Sequence, residues 1–290
     1  MDTKIKQIIR NSYDLHFHIG PEIIPRKFDS LLDLEEKERG NIRGIALKNH
    51  FYPTAPQISQ FKNKLKLEYI GGLVLNNFIG GLNAEAIYAS SLILNKPIIV
   101  WFPTISAQNF LDNSKFEIPS EWVNKKSFIT RKSSRIKPVE LVDNKVINVL
   151  KMIKKTKSIL ATGHISANES INLVEKAIKL EVKKIIITHP IYQKIDMTIN
   201  NQIYLANKGC LIEICYSMYA IDKIPITKIV YQIKKVCPKN IILSSDVGQK
   251  FSPSSTEALL IFSKLLIKEG VTLEMLNQML VINTNKLVNR

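Results

Sequence analysis

Cysteine is scarce in this chain, histidine is scarcer than its placement would suggest, and long apolar runs are missing. Three cysteines stand among 290 residues. Cys210, Cys215 and Cys237 are odd in number and show no CxxC spacing, which excludes a disulfide framework and a cysteine-built zinc cluster and leaves buried free thiols as the expectation. The apolar runs are strand-sized, far short of the roughly 20 residues that cross a bilayer. The opening stretch MDTKIKQIIRNS is charged where a secretory signal needs an apolar core. A soluble, cytoplasmic protein with no membrane partner is therefore expected. No GxSxG, GxGxxG or GxxxxGK pattern occurs, so a nucleophile elbow and the common glycine-rich phosphate cradles are not indicated. Gly71, Gly72, Gly80 and Gly81 are read as turn residues instead.

Acidic residues are in the minority, 25 Asp and Glu against 41 Lys and Arg, for a net charge of +16. Such a balance can draw nucleic acid, anionic membranes or acidic substrates. Much of the lysine, however, falls at helical spacing, as in KMIKKTK (151–157) and EKAIKLEVKK (175–184), the pattern of a solvated surface. With 45% hydrophobic residues, the length suffices for a full core in one large α/β domain spanning 1–290.

Against this background the histidines stand out. There are five, and each falls where an apolar, strand-like run ends: His16 and His18 in YDLHFHIGP, His50 in IALKNH, His164 in ILATGHIS and His189 in IIITHP. A further run, IILSSDVG, ends on Asp246. Eight such runs can be read in order, ending near Ile19, His50, Asn76, Thr104, Ile165, Pro190, Tyr216 and Gly248. Between and after them, helical periodicity covers 29–40, 54–65, 83–95, 141–155, 168–180, 198–208, 226–236, 254–269 and 272–289. Ser166 and Glu169 have the spacing of a capping box, and Gly209 sits where a helix should end. Near-continuous apolar strands suit a parallel sheet buried on both faces, and eight βα units predict a (β/α)8 TIM barrel. One connection, 105–140, is long and carries Lys125, Lys126, Arg131, Lys132, Arg135 and Lys137. It reads equally as a substrate lid and as a solvated insertion.

In such a barrel all strand C-termini meet at one mouth, so residues 230 positions apart can surround one ion. His16 and His18, two apart on a strand, share a face and can chelate. His164 and His189 come from neighbouring strands, and Asp246 closes the ring. Imidazoles with a carboxylate suit a divalent metal, zinc first, with manganese, iron or nickel also compatible. The metal would activate water and polarise a carbonyl or phosphoryl oxygen. Lone carboxylates ending a buried apolar strand are costly without a cation, which favours Asp246 as a ligand over a turn residue. Arg26 and Lys27 could bind an anionic group or form a solvated pair, and Glu22 could equally be a loop carboxylate. Asn76 could hydrogen-bond substrate or orient a ligand.

These motifs resemble the amidohydrolase superfamily of metal-dependent hydrolases. DLHFHIGP is similar to its first-strand motif, GH and THP to its fifth- and sixth-strand histidines, SSDVG to its last-strand aspartate, and NTNKLV (283–288) to a terminal asparagine-containing helix. KNH, GGLVLN, GGLN, WFPT and SDVGQ look, more narrowly, like a subgroup of amidohydrolase-like cytosolic proteins. The resemblance implies a hydrolase of amides, cyclic imides or lactones, with His16 and His18 on a first metal and His164 and His189 on a second. It further implies Asp246 as ligand and proton shuttle, and a homo-oligomer. One departure matters. The fourth strand, ending WFPT, lacks the carbamylated Lys or Glu that bridges two metals in binuclear members. Lys48 and His50 are the substitutes on offer: His50 as a further ligand, and Lys48 as a carbamylated bridge, a substrate anchor or simply the partner of Glu213, itself placed among possible substrate contacts. One ion or two both remain open. A small-molecule substrate, anionic where Arg26 or Lys48 meets it, is expected rather than nucleic acid. A phosphoesterase or nuclease, a mononuclear decarboxylase and a metal-stabilised scaffold are the alternatives.

Overall fold

The computed structural model describes residues 1–113 and 143–289. Among these residues nine short strands pair in parallel: β1 (Tyr13–His18), β2 (Gly44–Lys48), β3 (Glu68–Ile70), β4 (Gly72–Val74), β5 (Ile99–Trp101), β6 (Ile159–Ala161), β7 (Ile185–Ile187), β8 (Leu211–Cys215) and β9 (Ile241–Ser244). β3 and β4 are two halves of one barrel strand interrupted at Gly71: β3 pairs with β2, and β4 pairs with β5. β4 to β9 then follow one another in sequence order. The ring closes where Phe17 bridges Val247, with His18 N–H donating to Val247 O at 2.8 Å and Asp246 N–H donating to His16 O at 2.8 Å. The result is the (β/α)8 barrel that the alternation predicts.

Two apolar layers hold it together. Ile45, Leu47, Leu73, Val100, Leu160, Ile185, Ile187, Ile212 and Leu243 face outward, in the large core shared with the surrounding helices. Ala46, Val74, Ile99, Trp101, Ile159, Ala161, Ile186 and Ile242 face inward as a separate plug. With both strand faces buried, the unbroken apolar runs are explained. β1 changes sides midway. Tyr13 and Leu15 belong to the plug whereas Phe17 and Ile19 belong to the outer layer, and the pairing register with β2 shifts between Asp14 and Phe17. Such an irregularity re-aims the side chains beyond it, here turning His16 and His18 towards the interior.

The helices start as their sequences dictate. Ser166 and Glu169 form the expected capping box at the helix Ala167–Lys179, and Gly209, at φ +91°, follows the helix Ile199–Asn207. Three readings are corrected. An additional helix, Asp2–Arg10, precedes β1 because Ile5 and Ile9, four apart, bury one face against the core. The single terminal helix expected over 272–289 is broken into Leu273–Asn277, a wider π turn at Gln278–Ile282, and Asn283–Asn289. The turn places the Asn283 amide where it donates to the carbonyls of Pro238 (2.8 Å) and Ile241 (2.5 Å). Cys210 and Cys215 are buried thiols, but Cys237 is exposed. No helix among the described residues is long and apolar enough to cross a membrane. The basic stretch from Lys125 to Lys137 lies outside the described residues.

The junction between β2 and β4 depends on a residue without a side chain. A Cβ on Gly72 would lie 2.1 Å from the Leu47 carbonyl oxygen and 2.8 Å from the Trp101 ring. Gly72→Ala is therefore expected to destabilise the barrel by about 1–3 kcal/mol through overpacking, more than the roughly 1 kcal/mol expected for removing the helix cap with Ser166→Ala. Urea denaturation of both variants checks the order.

Candidate active site

On several strands the inward face, followed towards the C-terminus, passes from the apolar plug to polar side chains in steps of two: Ala46 to Lys48, Val74 to Asn76, Leu211 to Glu213. The plug excludes water from below, and the polar residues that follow gather at the mouth. All five histidines lie there in one chain of ring contacts. Centroid separations are 4.7 Å for His50 and His18, 5.4 Å for His18 and His16, 5.7 Å for His16 and His189, and 5.1 Å for His189 and His164. Asp246 completes the cluster, with its Oδ1 at 3.0 Å from His16 Nε2 and 3.1 Å from His18 Nε2. Its Oδ2 accepts from the Ser217 hydroxyl at 2.7 Å. Asp246 (φ +51°) and His189 (φ +22°) both have left-handed backbone. Such backbone is costly for a residue with a side chain and tends to cluster at functional sites.

Hydrogen bonds assign individual nitrogens. The buried Glu213 accepts from His16 Nδ1–H at 3.1 Å, so in neutral His16 the lone pair resides on Nε2. That atom faces the Asp246 carboxylate, an arrangement of two acceptors that calls for a proton or a cation between them. Lys48 Nζ lies 2.8 Å from the same Nε2 and over the Trp101 ring. Burial alone would lower His16, but Asp246 and Glu213 outweigh it and raise the group to about 9. Burial would likewise raise Asp246, which His16 and His18 hold well below the ordinary carboxylate range. Burial, aided by neighbouring positive groups, keeps His50 and His164 well below the usual imidazole value, and burial brings His189 down to about 4. These three are neutral at pH 7, the form that binds a metal.

The donors fit a divalent cation. Ligand atoms of His16, His18 and Asp246 lie within 4.8 Å of one another, as do those of His18, Glu22 and His50. Two buried nitrogens, His164 Nδ1 and His189 Nδ1, have no hydrogen-bond partner among the described residues, which buried polar atoms seldom tolerate. His18 is oriented the other way from His16: Arg26 donates to its Nδ1 at 3.1 Å, which leaves Nε2–H facing Asp246. A cation on His18 Nε2 thus displaces a proton and the Arg26 contact.

Several sequence expectations change at this level. Glu213 makes its hydrogen bond to His16, while its charge also acts on Lys48, and at 1% exposure it is buried beneath the histidines. Asn76 is buried and fully engaged: its amide donates to His50 O (3.1 Å) and Thr104 Oγ1 (2.9 Å), and its Oδ1 accepts from the N–H groups of Thr104 and Ser106. It ties together the loops that carry His50, Thr104 and Ser106. Arg26 is not solvated. It is buried, ion-paired with Glu22 and in the pocket wall. Lys48 is buried and does not line that pocket. Thr104, which holds His50 Nδ1 at 2.9 Å, Ser217, Tyr192 and Glu22 were missed or undervalued. Only Glu22 carried a signal, as a carboxylate four residues before Arg26. Asp14 is a structural residue on the other side of β1, accepting from Ser245 and Ser255. Burial raises it to about 6 against these hydrogen bonds.

Above the cluster is a cavity of about 320 Å³ walled by Ile24, Arg26, Phe110, Tyr192, Met218 and Gln249 among others. Replacing Glu213 by Gln keeps the shape and an amide oxygen but removes the negative charge that His16 Nδ1–H meets. Metal affinity is expected to fall by about 10- to 100-fold, measured by chelator competition.

A model of the family described as "Family of unknown function (DUF6282)" matches residues 11–213. No curated protein matches the chain in sequence. Solved structures share the fold. A candidate 2-pyrone-4,6-dicarboxylic acid hydrolase from Pseudomonas putida superposes with a TM-score of 0.63 at 10% identity, over 97% of this chain and 98% of the other. An amidohydrolase from Burkholderia multivorans gives 0.59 at 7% identity, over 96% and 99%. A 2,6-dihydroxybenzoate decarboxylase bound to 2,6-dihydroxybenzoate gives 0.58 at 9% identity, over 97% and 100%. The chain therefore shares its barrel fold with these proteins.

Proposed function

The chain belongs to the family of unknown function DUF6282, and we propose that it is a metal-dependent hydrolase acting on a C–N or C–O bond of a small substrate. The observation that carries this reading is the convergence of five imidazoles and the Asp246 carboxylate on one side of a closed apolar plug. His16, His18 and Asp246 would hold one cation, and His164 and His189 a second, with His50 as a further ligand. A divalent metal, zinc first and manganese, iron or nickel after it, supplies Lewis acidity that polarises a carbonyl oxygen and acidifies water. Asp246 would take the proton from the attacking water and return it to the leaving group, while the Ser217 hydroxyl holds Oδ2. Arg26 stands in the wall where an anionic group of the substrate would meet it. Lys48, outside the wall but against His16, suits a bridging carbamate better than a substrate anchor.

The cavity, about 320 Å³ among the described residues, is at the small end of ligand pockets. That size supports an amide, cyclic imide or lactone over a polymer. A mononuclear decarboxylase is the second reading, and Thr104 favours it. The fourth barrel strand leads to a threonine already committed to His50 and Asn76, with no carboxylate in the bridging position.

Elemental analysis of untagged protein is expected to find one or two divalent ions per chain, with at least one lost from a folded His16→Ala/His18→Ala variant. Asp246→Asn should retain metal yet hydrolyse lactones or amides about 10²- to 10⁴-fold more slowly, the range for lost general acid and base action. Unchanged turnover in Asp246→Asn would overturn its proton-transfer role. A protein that takes up no zinc or manganese would overturn the metal reading altogether.

A further inference from the structure

A second cavity, among the described residues, is distinct from the one at the mouth. It lies at the opposite end of the barrel, where the chain enters β6, β7 and β8, and measures about 650 Å³. Its floor is apolar, formed by Ile153, Val182, Ile185, Leu211 and Leu287, and its rim bears Lys154, Lys157, Lys183, Lys184, Lys239 and Lys286. One carboxylate, Glu181, joins them and is engaged by Lys154 at 2.5 Å. The other rim lysines form no ion pair among the described residues.

The opposite end of such a barrel ordinarily serves stability, and lysines near helix C-termini are favoured there by the helix dipole. That account covers Lys154, in the last turn of its helix. It does not cover Lys183 and Lys184, which lead into β7, or Lys239, which leads into β9. Nor does it explain why the charges surround a concave apolar floor. Lys184 is partly buried, and burial together with the Lys157 charge lowers its pKa. The other rim lysines are mostly exposed, so solvent screens their mutual repulsion, and a bound polyanion would relieve what remains.

We infer that this basin binds an organic polyphosphate of the nucleoside di- or triphosphate class, with the phosphates on the lysine rim and the flat base on the apolar floor. The volume falls within the range of small-molecule sites, roughly 300–1,000 Å³. Lysine ammonium groups bind phosphate as point charges from several directions. Several unpaired cations call for a ligand with several negative charges, and the floor rewards a body that inorganic phosphate lacks. The site is separate from the mouth and does not depend on the hydrolase reading.

The test is fluorescence titration of the full chain with trinitrophenyl-ATP at about 150 mM salt, with EDTA present so that the mouth holds no metal. Saturable binding is expected, displaced by ATP, less well by pyrophosphate and poorly by adenosine. Lys157→Gln/Lys184→Gln should weaken it by about tenfold or more, the loss of charged hydrogen bonds, while His18→Ala leaves it unchanged. Lys157 is exposed and Lys184 only partly buried, and Gln keeps most of the side-chain length, so the double variant should melt no lower than the parent, which separates lost binding from lost folding. Equal affinity in parent and double variant would overturn the site. Displacement by pyrophosphate as effective as by ATP would overturn the organic ligand and leave a bare anion site.

Discussion

The seam between the first and last barrel strands is the constraint on which the rest of the structure depends, because the groups that close the ring also build the site. Asp246 N–H donates to the His16 carbonyl, and His18 N–H donates to the Val247 carbonyl. The same residues present His16, His18 and Asp246 side chains to one another at about 3 Å. Closure thus fixes the spacing of three candidate ligands without relying on flexible loops. The left-handed backbone at Asp246 and the shift of register in β1 are the local distortions that allow both at once. Their cost is offset by the buried hydrogen bonds of Asp14 with Ser245 and Ser255, which clamp the seam from the outer side.

Burial then determines the chemistry. A carboxylate and a cluster of imidazoles far from water are unfavourable unless charges balance. Glu213 below His16 and Asp246 beside it make the floor of the mouth electronegative. Lys48 and Arg26 are the positive groups that answer them in the protein alone. This balance explains why the same pair of acids drives His16 up while burial leaves His50, His164 and His189 neutral. A metal ion is the kind of charge such a set of donors accommodates. The two ends of the barrel differ in the same terms: the mouth mixes acids and bases in a small buried volume, whereas the opposite basin gathers lysines around an apolar floor.

Much of the barrel was legible because its signals are local. Unbroken apolar strands, Ser166 with Glu169, and Gly209 after its helix each act within a few residues, and each appears where the sequence placed it. The histidines were legible for a related reason, since a parallel barrel brings every strand end to one mouth. The partner relations were not. Glu213 read as the counterpart of Lys48 because both are charges in apolar strands, yet which strand faces which depends on ring closure, and Glu213 on β8 bonds His16 on β1 with β9 between them. Asn76 read as exposed to substrate because it ends a strand, yet the loop after β5 folds over it.

By itself, then, the sequence determined the alternation of strands and helices, the buried character of the sheet, and which strand ends carry imidazole or carboxylate, since these follow from hydrophobic pattern and residue type along a short stretch. Tertiary structure decided which nitrogen of each histidine is free, that Arg26 is buried against His18, that Thr104 holds His50, and that lysines spread from 154 to 286 surround one cavity. Those facts depend on distances between residues far apart in the chain, which are set only when β1 meets β9 and the ring is closed.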